Sequence, residues 1–414
     1  MKILCTDKTC QVRSQSGGES ANEDHLKMGK LSVAVLLSGR EQFSVYYGGA
    51  LARWTYDVYS RLQDCIEVTV FGFPTDGGSA YKLPHITPGS WRACTIISRT
   101  PILRRFEDHL WLRSLLPNLR RFSLIHIHNR PQWPGLLRSF GYRGVIVLHL
   151  QNDHLGHWDR SMLDQLATSI DGLVTCSNYL ARQSSPRSKL LAEKTRVVFN
   201  GVDTSTFVPK PELRERKSIF FVGSFVPAKG PLQLMQAYAK ILQTHPEAKL
   251  IVGGSTSFGV YEETKYVKEV RHLAESLRKQ FEAQIEFPGY IHHDRSLPGF
   301  FQRATVFTSP SIFQEPFGLV NAEAMACATP VVGSKRGGIP EVLDDTGMLI
   351  DPEDTNAYAN ALAALLSDSS LQARLGEAAR ARVRRLFDWH VIARTWLEYL
   401  QHVSESKVKS LECA

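Results

Sequence analysis

Short apolar runs alternate with amphipathic stretches along most of the chain. The pattern predicts a buried strand at Leu31–Leu37, a helix near Ala50–Leu62 and a second strand at Ile66–Phe71. A strand, a helix and another strand in this order indicate a parallel sheet that is covered by helices. Further strand-sized apolar runs lie at Leu124–Ile127, Gly144–Leu150 and Gly172–Thr175.

A second series of strands and helices begins at Ser218 with the strand SIFFVG. It follows the Pro- and charge-rich stretch TFVPKPELRERK, which we interpret as an interdomain linker. The sequence therefore predicts two doubly wound α/β units in series. Met28 is a candidate start of the folded chain. The predicted divisions are a disordered extension over 1–30, a first domain over 31–205, a second domain over 206–386 and a last helix over 387–405.

Composition narrows the class of protein. The 414 residues suit two domains, and 43% apolar with 22% charged residues describes a globular protein. No apolar run reaches the roughly 18 residues that a membrane span needs, and no secretory signal is visible. The 7 cysteines follow neither a disulfide nor a zinc pattern, so we expect a cytoplasmic protein.

The net charge of +8 is unevenly distributed. Arginines cluster between Arg99 and Arg143, where only Glu107 and Asp108 oppose them. Such a patch attracts a nucleic acid, an anionic lipid surface or a phosphorylated acceptor, and a solvated helix face explains it equally well. Aromatic residues do not alternate with these arginines as single-strand binding requires. We therefore predict no nucleic-acid partner and a peripheral contact with an anionic membrane at its inner face.

Two segments of the second domain have features of a diphosphate site. The first, FVGSFVPAKGP at Phe221–Pro231, ends a strand at Gly223 and places Lys229 before a helix. Glycine allows a ligand to approach the backbone closely, and lysine supplies a positive charge for phosphate oxygens. Lys-Gly turns are common without a ligand, so this segment alone is a weak indication.

The second segment, SPSIFQEPFGLVNAEAMACATPVV at Ser309–Val332, gives a stronger indication. Glu315 precedes a predicted helix start, where free backbone N–H groups would face an anion. Glu323 lies about two turns further on, which favours two separate roles over a shared proton. From residue types alone, Glu315 could instead stabilise the helix dipole while Glu323 lies on a solvated face.

The spacing of the two glutamates in EPFGLVNAEAMACATPVV resembles the hallmark of glycosyltransferase family 4, a retaining family. Segments that resemble other landmarks of the family follow in the family's order: GGALARW, SNYLARQ, FNGVDTSTF, FVGSFVPAKG, GGIPEV and TGMLIDPED. HIHNRPQWP and VLHLQNDHL resemble branches that build cell-envelope polysaccharide, lipopolysaccharide core or spore-coat glycans. The resemblance implies the GT-B fold: two Rossmann-like doubly wound parallel-sheet domains facing an interdomain cleft, with the last helix crossing back to the first domain.

The resemblance also implies roles for individual residues. Glu315 would contact the transferred sugar near its reacting carbon, Lys229 would neutralise the diphosphate, and Glu323 would hold the ribose. The other donor-binding positions implied are Gly48, Gly49, Gly223, Ser224, Gly253, Gly254, Tyr290, Ile291, Phe317, Gly318 and Leu319, the last three through their backbone. The implied donor is a nucleotide-diphosphate sugar, with UDP-hexose favoured, and the implied acceptor is a glycan or lipid-linked glycan.

Candidate contacts on the acceptor side are His126, His128, Gln151 and His154. We interpret His126 and His128 as facing opposite sides of their strand, which disfavours a shared metal. Gln151 stands where the family commonly has a histidine, Ser224 where it usually has a phosphate-binding arginine, and Ala328 where it usually has glycine.

In the reaction that the resemblance implies, the departing phosphate takes the proton of the acceptor, and double displacement through Glu315 is the competing mechanism. Neither needs a cofactor, and we predict no metal. Two other classes of function stay open from the sequence. One is another GT-B enzyme, such as a nucleotide-sugar epimerase or a phosphorylase. The other is a non-catalytic basic protein that binds lipid or nucleic acid and has a degenerate donor site.

Overall fold

The structure is a computed structural model. It describes residues 2–6, 9–13, 30–37, 41–44, 49–72, 81–86, 101–256, 262–293 and 295–412. The chain divides into two units. The first comprises Met1–Thr175, Gln183–Arg196 and Ala393–Ala414, and the second comprises Cys176–Arg182 and Val197–Ile392.

Two short strands lie in the segment that was predicted to be disordered. Strands β1 (Lys2–Thr6) and β2 (Thr9–Arg13) pair antiparallel. The prediction for 1–30 is therefore wrong for these two strands. The sequence TCQVR alternates apolar and polar residues, which is the period of a strand, and KILCT has three consecutive apolar residues. Residues 14–29, including Met28, lie outside the described residues.

The first unit is built on a sheet of mostly buried strands. The strands are β3 (Leu31–Leu36), β4 (Ile66–Phe71), β5 (His85–Ile86), β6 (Leu124–His128), β7 (Val145–Leu150), β8 (Gly172–Thr175) and β9 (Thr195–Val197). The order across the sheet is β5-β4-β3-β6-β7-β8-β9, and the pairs from β5 to β8 are parallel. Every residue of β6 and β7 is buried, as expected of central strands that are covered on both faces.

Helices connect these strands in the manner of a doubly wound fold. They are α1 (Ala50–Tyr59), α2 (Pro101–Leu119), α3 (Trp133–Ser139), α4 (Arg160–Ser169), α5 (Asn178–Ser184) and α6 (Lys189–Lys194). Most of α5, up to Arg182, counts with the second unit. The side chain of Asp159 begins α4 by accepting the Met162 N–H at 2.8 Å.

The second unit repeats the plan with a sheet in which every strand pair is parallel. Its strands are β10 (Ser218–Val222), β11 (Lys249–Gly253), β12 (Gln284–Gly289), β13 (Val306–Ser309), β14 (Val331–Ser334) and β15 (Met348–Ile350), in the order β12-β11-β10-β13-β14-β15. The helices are α7 (Pro231–Ile241), α8 (Lys265–Phe281), α9 (Leu297–Arg303), α10 (Leu319–Ala326), α11 (Ile339–Leu343), α12 (Thr355–Ser367), α13 (Ser369–Leu386) and α14 (Trp389–Glu412). The prediction of two doubly wound parallel-sheet units is confirmed.

The stretch interpreted as an interdomain linker is part of the second unit, so that interpretation is wrong. It contains a 3-10 turn at Pro211–Leu213, and Glu215 pairs with both Lys249 and Arg303. These ion pairs connect the stretch to β11 and α9. The second unit begins at Val197 and not at 206, and residues from Ala393 onward in α14 count with the first unit.

The strand order locates the place where each unit would hold a ligand. In the second sheet the direction of winding reverses between the neighbouring strands β10 and β13, and in the first sheet between β3 and β6. Loops that leave such strands diverge to opposite sides of the sheet and open a crevice at the carboxyl ends.

Across the described residues, no helix combines the length and apolar character that a membrane span requires.

Candidate functional site

Lys229 and Glu315 meet in the crevice of the second unit. Lys229 ends a short 3-10 turn after β10, and Glu315 lies in the loop between β13 and α10. Because these two strands are neighbours, residues far apart in sequence come together, and the Lys229 ammonium forms an ion pair with Glu315 Oε1. The Ser311 hydroxyl donates to the same oxygen at 2.7 Å. The Glu315 side chain is 13% exposed and that of Lys229 is 35% exposed, so solvent reaches mainly the lysine.

Backbone hydrogen bonds hold the two loops together. The N–H groups of Ile312 and Phe313 both donate to the Ala228 carbonyl, at 2.9 and 3.1 Å. On the opposite side, the Gly338 N–H donates to the Glu315 carbonyl at 2.7 Å. These bonds connect the loop of Glu315 to Ala228 on one segment and to Gly338 on another, which positions the loop.

Gly230 makes the close approach of these loops possible. Its φ is +73°, and a Cβ at this position would lie 2.0 Å from the Pro310 carbonyl oxygen. We expect Gly230→Ala to lower the free energy of unfolding by at least about 1–3 kcal/mol, because the left-handed backbone and the clash act together.

The matched control is Gly299→Ala in α9, where a Cβ meets nothing within 4 Å. There alanine should leave stability unchanged or raise it by about 0.5–1 kcal/mol, since glycine is unfavourable inside a helix. Urea unfolding followed by circular dichroism measures both variants. Equal stability of the two would contradict the role assigned to Gly230.

Gly318 gives α10 an open N-terminus beside Glu315. Its φ is +84°, and no side chain caps the helix. The Asn321 amide donates to the Gly318 carbonyl at 3.0 Å and accepts from the Ser309 hydroxyl at 2.5 Å, which fixes the first turn. The N–H groups at Gly318 and Leu319 are therefore available to an anion.

Phe317 can contribute only its backbone to this site. Its ring is 2% exposed and packs against Phe199 and Phe387, with centroids 6.1 and 5.5 Å away. The ring anchors the loop in the core of the second unit.

Glu323 lies inside α10 and has a different partner from Glu315. It is 2% exposed, its Oε1 is 2.5 Å from His293 Nε2, and its Oε2 has no hydrogen-bond partner among the described residues. A buried carboxylate oxygen without a partner is uncommon in proteins, so it is a candidate ligand contact. His293 was missed from sequence, where the only signal was the repeated histidine of GYIHHD.

The glycines named from sequence pack against one another at the carboxyl ends of β10 and β11. Gly254 has φ +130°, and a Cβ there would lie 1.8 Å from the Gly223 carbonyl oxygen. The Gly223 N–H donates to the Gly253 carbonyl at 3.2 Å. Ser224 follows directly and is half-buried. These positions form one surface beside the loop of Lys229.

Tyr290 and Ile291 lie in the loop after β12 and differ in exposure. Tyr290 is 47% exposed, whereas Ile291 is 8% exposed, and its side chain fills the space beside Gly253. Only the tyrosine therefore offers its side chain to a ligand.

In the first unit a carboxylate accompanies the glycine-rich segment. Gly48 lies outside the described residues, and Gly49 precedes the first turn of α1. Glu41 Oε1 accepts the Ala52 N–H at 3.3 Å, so this carboxylate caps the helix start. Burial raises the pKa of Glu41, and hydrogen bonds from the Ala52 and Gly49 N–H groups oppose that shift. Sequence reasoning missed Glu41 as a neighbour of Gly49.

His126 and His128 lie on one face of β6, so the interpretation that they face opposite sides of the strand is wrong. Residues two apart on a strand point to the same face. Both are fully buried, with ring centroids 4.2 Å apart. Gln151 is 8% exposed and its N–H donates to Asn129 Oδ1 at 2.8 Å. His154 is half-buried, and burial together with the charge of Arg130 lowers its pKa.

The basic patch is smaller than its sequence suggests. Arg138 makes a 2.7 Å ion pair with Asp171 and donates to three backbone carbonyls, so it is a structural residue. Four arginines of the patch are exposed: Arg113, Arg120, Arg121 and Arg143. Arg99 and the side chains of Arg104 and Arg105 lie outside the described residues.

Known protein families match both units. Residues 203–382 match the family described as Glycosyl transferases group 1, and residues 47–206 match the family described as Glycosyltransferase Family 4. The spore coat protein SA of Bacillus subtilis is 31% identical over 297 residues, which cover 67% of this chain and 78% of that protein. The alpha-maltose-1-phosphate synthase of Mycolicibacterium smegmatis is 29% identical and covers 90% of this chain and 100% of its own length.

Solved structures match the fold over nearly the whole chain. The sucrose-phosphate synthase of Thermosynechococcus elongatus has a TM-score of 0.70 at 23% identity and covers 91% of this chain and 100% of its own. Anabaena HepE in complex with UDP-glucose has a TM-score of 0.66 at 21% identity and covers 90% of this chain and 100% of its own. This chain therefore belongs to glycosyltransferase family 4 and is a hexosyltransferase with the GT-B fold.

Proposed function

We propose that this hexosyltransferase is a retaining enzyme that uses a UDP-hexose donor. The proposed acceptor is a glycan or lipid-linked glycan of cell-envelope polysaccharide synthesis. The observation that carries the proposal is the contact of Lys229 with Glu315 beside the open N-terminus of α10. A cation, an anion and a helix start converge there on one crevice. The cation and the helix start complement a diphosphate, and the anion complements the positive charge that a sugar ring gains as its bond to the diphosphate breaks.

The proposed roles follow from how charge develops in the reaction. As the bond from sugar C1 to the phosphate oxygen breaks, the ring becomes positive and the diphosphate becomes more negative. Lys229 and the N–H groups at Gly318 and Leu319 stabilise the diphosphate, and Glu315 stabilises the ring. Lys229 is the more exposed partner of the ion pair, so the donor can draw it from Glu315 as the diphosphate enters. We propose no metal at the donor site, because these groups supply the positive potential.

Retention follows if the acceptor attacks from the side that the diphosphate leaves. The acceptor oxygen forms a bond to C1, and its proton passes to the departing phosphate oxygen. Glu315 then needs no covalent bond to the sugar, and its ion pair and its hydrogen bond from Ser311 keep it as a charged stabiliser.

Glu323 is proposed to bind the ribose of the donor. His293 holds one carboxylate oxygen, which leaves Oε2 as the acceptor for a ribose hydroxyl. A hydrogen bond to a charged group contributes about 1.5–3 kcal/mol.

Two kinds of relative support the choice of donor and pathway. The Anabaena HepE structures contain UDP, UDP with glucose, and UDP-glucose, and matching trehalose-phosphate synthases from Burkholderia are described as UDP-forming. The spore coat protein SA supports a role at the cell envelope.

We also propose a cytoplasmic location, with peripheral contact to an anionic inner membrane face. The contact would be made by four exposed arginines: Arg113, Arg120, Arg121 and Arg143.

A thermal-shift series with UDP-glucose, UDP-galactose, GDP-mannose and ADP-glucose tests the donor. We expect a UDP-hexose to raise Tm most, because a ligand at 100 times its Kd stabilises the folded state by about 2.7 kcal/mol. A shift with GDP- or ADP-sugars and none with UDP-sugars would overturn the UDP assignment. Nuclear magnetic resonance of the glycoside product then determines the anomeric configuration of the transferred sugar. A configuration inverted relative to the donor would overturn the assignment as a retaining enzyme.

A further inference from the structure

Three histidines of the first unit form a cluster that the transfer reaction does not use. His126 and His128 lie on β6, and His149 lies on the neighbouring strand β7. The strand register places His128 directly opposite His149. All three side chains are fully buried, and their ligand nitrogens all lie within 4.8 Å of one another. Two adjacent parallel strands thus direct three imidazoles to one point.

Each imidazole keeps a ring nitrogen without a partner. The unpartnered atoms among the described residues are His126 Nε2, His128 Nδ1 and both ring nitrogens of His149. Buried polar atoms nearly always have a hydrogen-bond partner, and leaving one unsatisfied costs about 1–3 kcal/mol. Several such atoms in one place therefore indicate a ligand that accepts nitrogen lone pairs.

We propose that His126, His128 and His149 bind one Zn²⁺ ion. In a tetrahedral site with Zn–N bonds of about 2.0–2.1 Å, the ring centroids are about 5 Å apart. The three centroid separations here are 4.2, 5.1 and 5.5 Å.

Neighbouring hydroxyl groups orient two of the three ligands. The Thr55 hydroxyl lies 3.1 Å from His128 Nε2, and the Tyr59 hydroxyl lies 3.1 Å from His126 Nδ1. Each hydroxyl oxygen can accept the N–H of its imidazole, which leaves the opposite nitrogen with a lone pair for the metal. Trp396 Nε1 donates to the Tyr59 hydroxyl at 3.1 Å and fixes it in place. These hydroxyls stand where zinc-binding histidines most often have a carboxylate, a backbone carbonyl or a water molecule.

The surroundings also favour the form of histidine that binds metals. Burial lowers the pKa of all three imidazoles, in the case of His149 to about 3. Neutral imidazole is the metal ligand, and nitrogen donors suit zinc better than magnesium or calcium. Trp54 packs against all three rings, and its Nε1 has no partner among the described residues.

The test measures zinc in the full-length chain without a histidine tag, produced with added ZnCl₂ and dialysed. We expect about one zinc per chain by plasma mass spectrometry, and at least a tenfold loss in His128→Gln and His149→Gln. The control His402→Gln changes an exposed histidine on α14 of the same unit and should keep the zinc. Wild-type protein without zinc, or His→Gln variants that retain it, would overturn the proposal.

X-ray absorption of the zinc-loaded wild type tests the ligands even if the variants fail to fold. We expect imidazole scattering with Zn–N distances of about 2.0 Å. Sulfur ligands at about 2.3 Å would place the ion on cysteines and would overturn the proposal. Neither readout depends on transferase activity, so the outcome is independent of the proposed donor.

Discussion

Replacing Glu315 with glutamine is expected to lower the rate of transfer by roughly 10²–10³-fold while leaving the fold intact. Glutamine keeps the size of the side chain and can still accept the Ser311 hydroxyl, but it removes the charge that faces Lys229. The positive charge that develops on the sugar ring then has no carboxylate beside it. The effect should appear in kcat, because the charge matters most in the transition state.

The measurement is UDP release from UDP-glucose in the presence of acceptor. Glu377→Gln is the matched control, because Glu377 is an exposed carboxylate on α13 of the same unit. Circular dichroism and Tm should be the same for both variants. If the turnover of Glu315→Gln were close to that of Glu377→Gln, Glu315 would have no role in the reaction.

The affinity for UDP tests the role of Glu315 independently of the transfer rate. Lys229 forms an ion pair with Glu315, so UDP must compete with that carboxylate for the ammonium. Glu315→Gln should therefore bind UDP as tightly as the wild type or more tightly, although it turns over slowly. Weaker UDP binding would mean that Glu315 positions the loop and does not act on the sugar.

The segments that carry Lys229 and Glu315 could be picked out because their features are local in sequence. A strand, a loop with Lys-Gly and a helix start can each be recognised from a short segment, as in Phe221–Pro231. That the lysine meets Glu315 follows from topology, since β10 and β13 are neighbours at the point where winding reverses. Alternation of strands and helices was enough to predict two parallel sheets, because parallel strands need such crossovers.

Other features depend on contacts that no short segment contains. His293 and Glu323 are 30 residues apart, and only the packed fold places them together. The charges of 206–217 indicated a linker, but Glu215 finds Lys249 and Arg303 across the unit. Ala328, which replaces a glycine usual in the family, has φ +53°, a strained conformation that residue type alone does not reveal.

The histidine error had a different cause. The predicted strand was correct, but the face was assigned wrongly, and the third member of the cluster lies on another strand. His126 and His149 are 23 positions apart in the chain, and the register of β6 with β7 brings their rings to 5.5 Å. A metal-binding pattern of this kind is invisible to spacing rules that assume ligands on one segment.

Replacing Lys229 with methionine is expected to weaken UDP binding by roughly 10–150-fold, the equivalent of the 1.5–3 kcal/mol of a charged hydrogen bond. Methionine has a similar length and lacks the ammonium, so the diphosphate loses its cationic partner while the loop keeps its volume. Transfer should slow as well, because the leaving diphosphate gains charge in the transition state. Calorimetric titration with UDP and the UDP-release assay measure the two effects.

Lys240→Met is the control for Lys229→Met, since Lys240 is an exposed lysine on α7 directly after the same loop. It should bind UDP like the wild type. The double variant Lys229→Met, Glu315→Gln completes a double-mutant cycle. Its fold-loss in transfer rate should be clearly smaller than the product of the two single fold-losses, because the two side chains are in contact. Fully multiplicative losses would show that the lysine and the glutamate act independently, and the crevice of the second unit would then not be a single site for a sugar diphosphate.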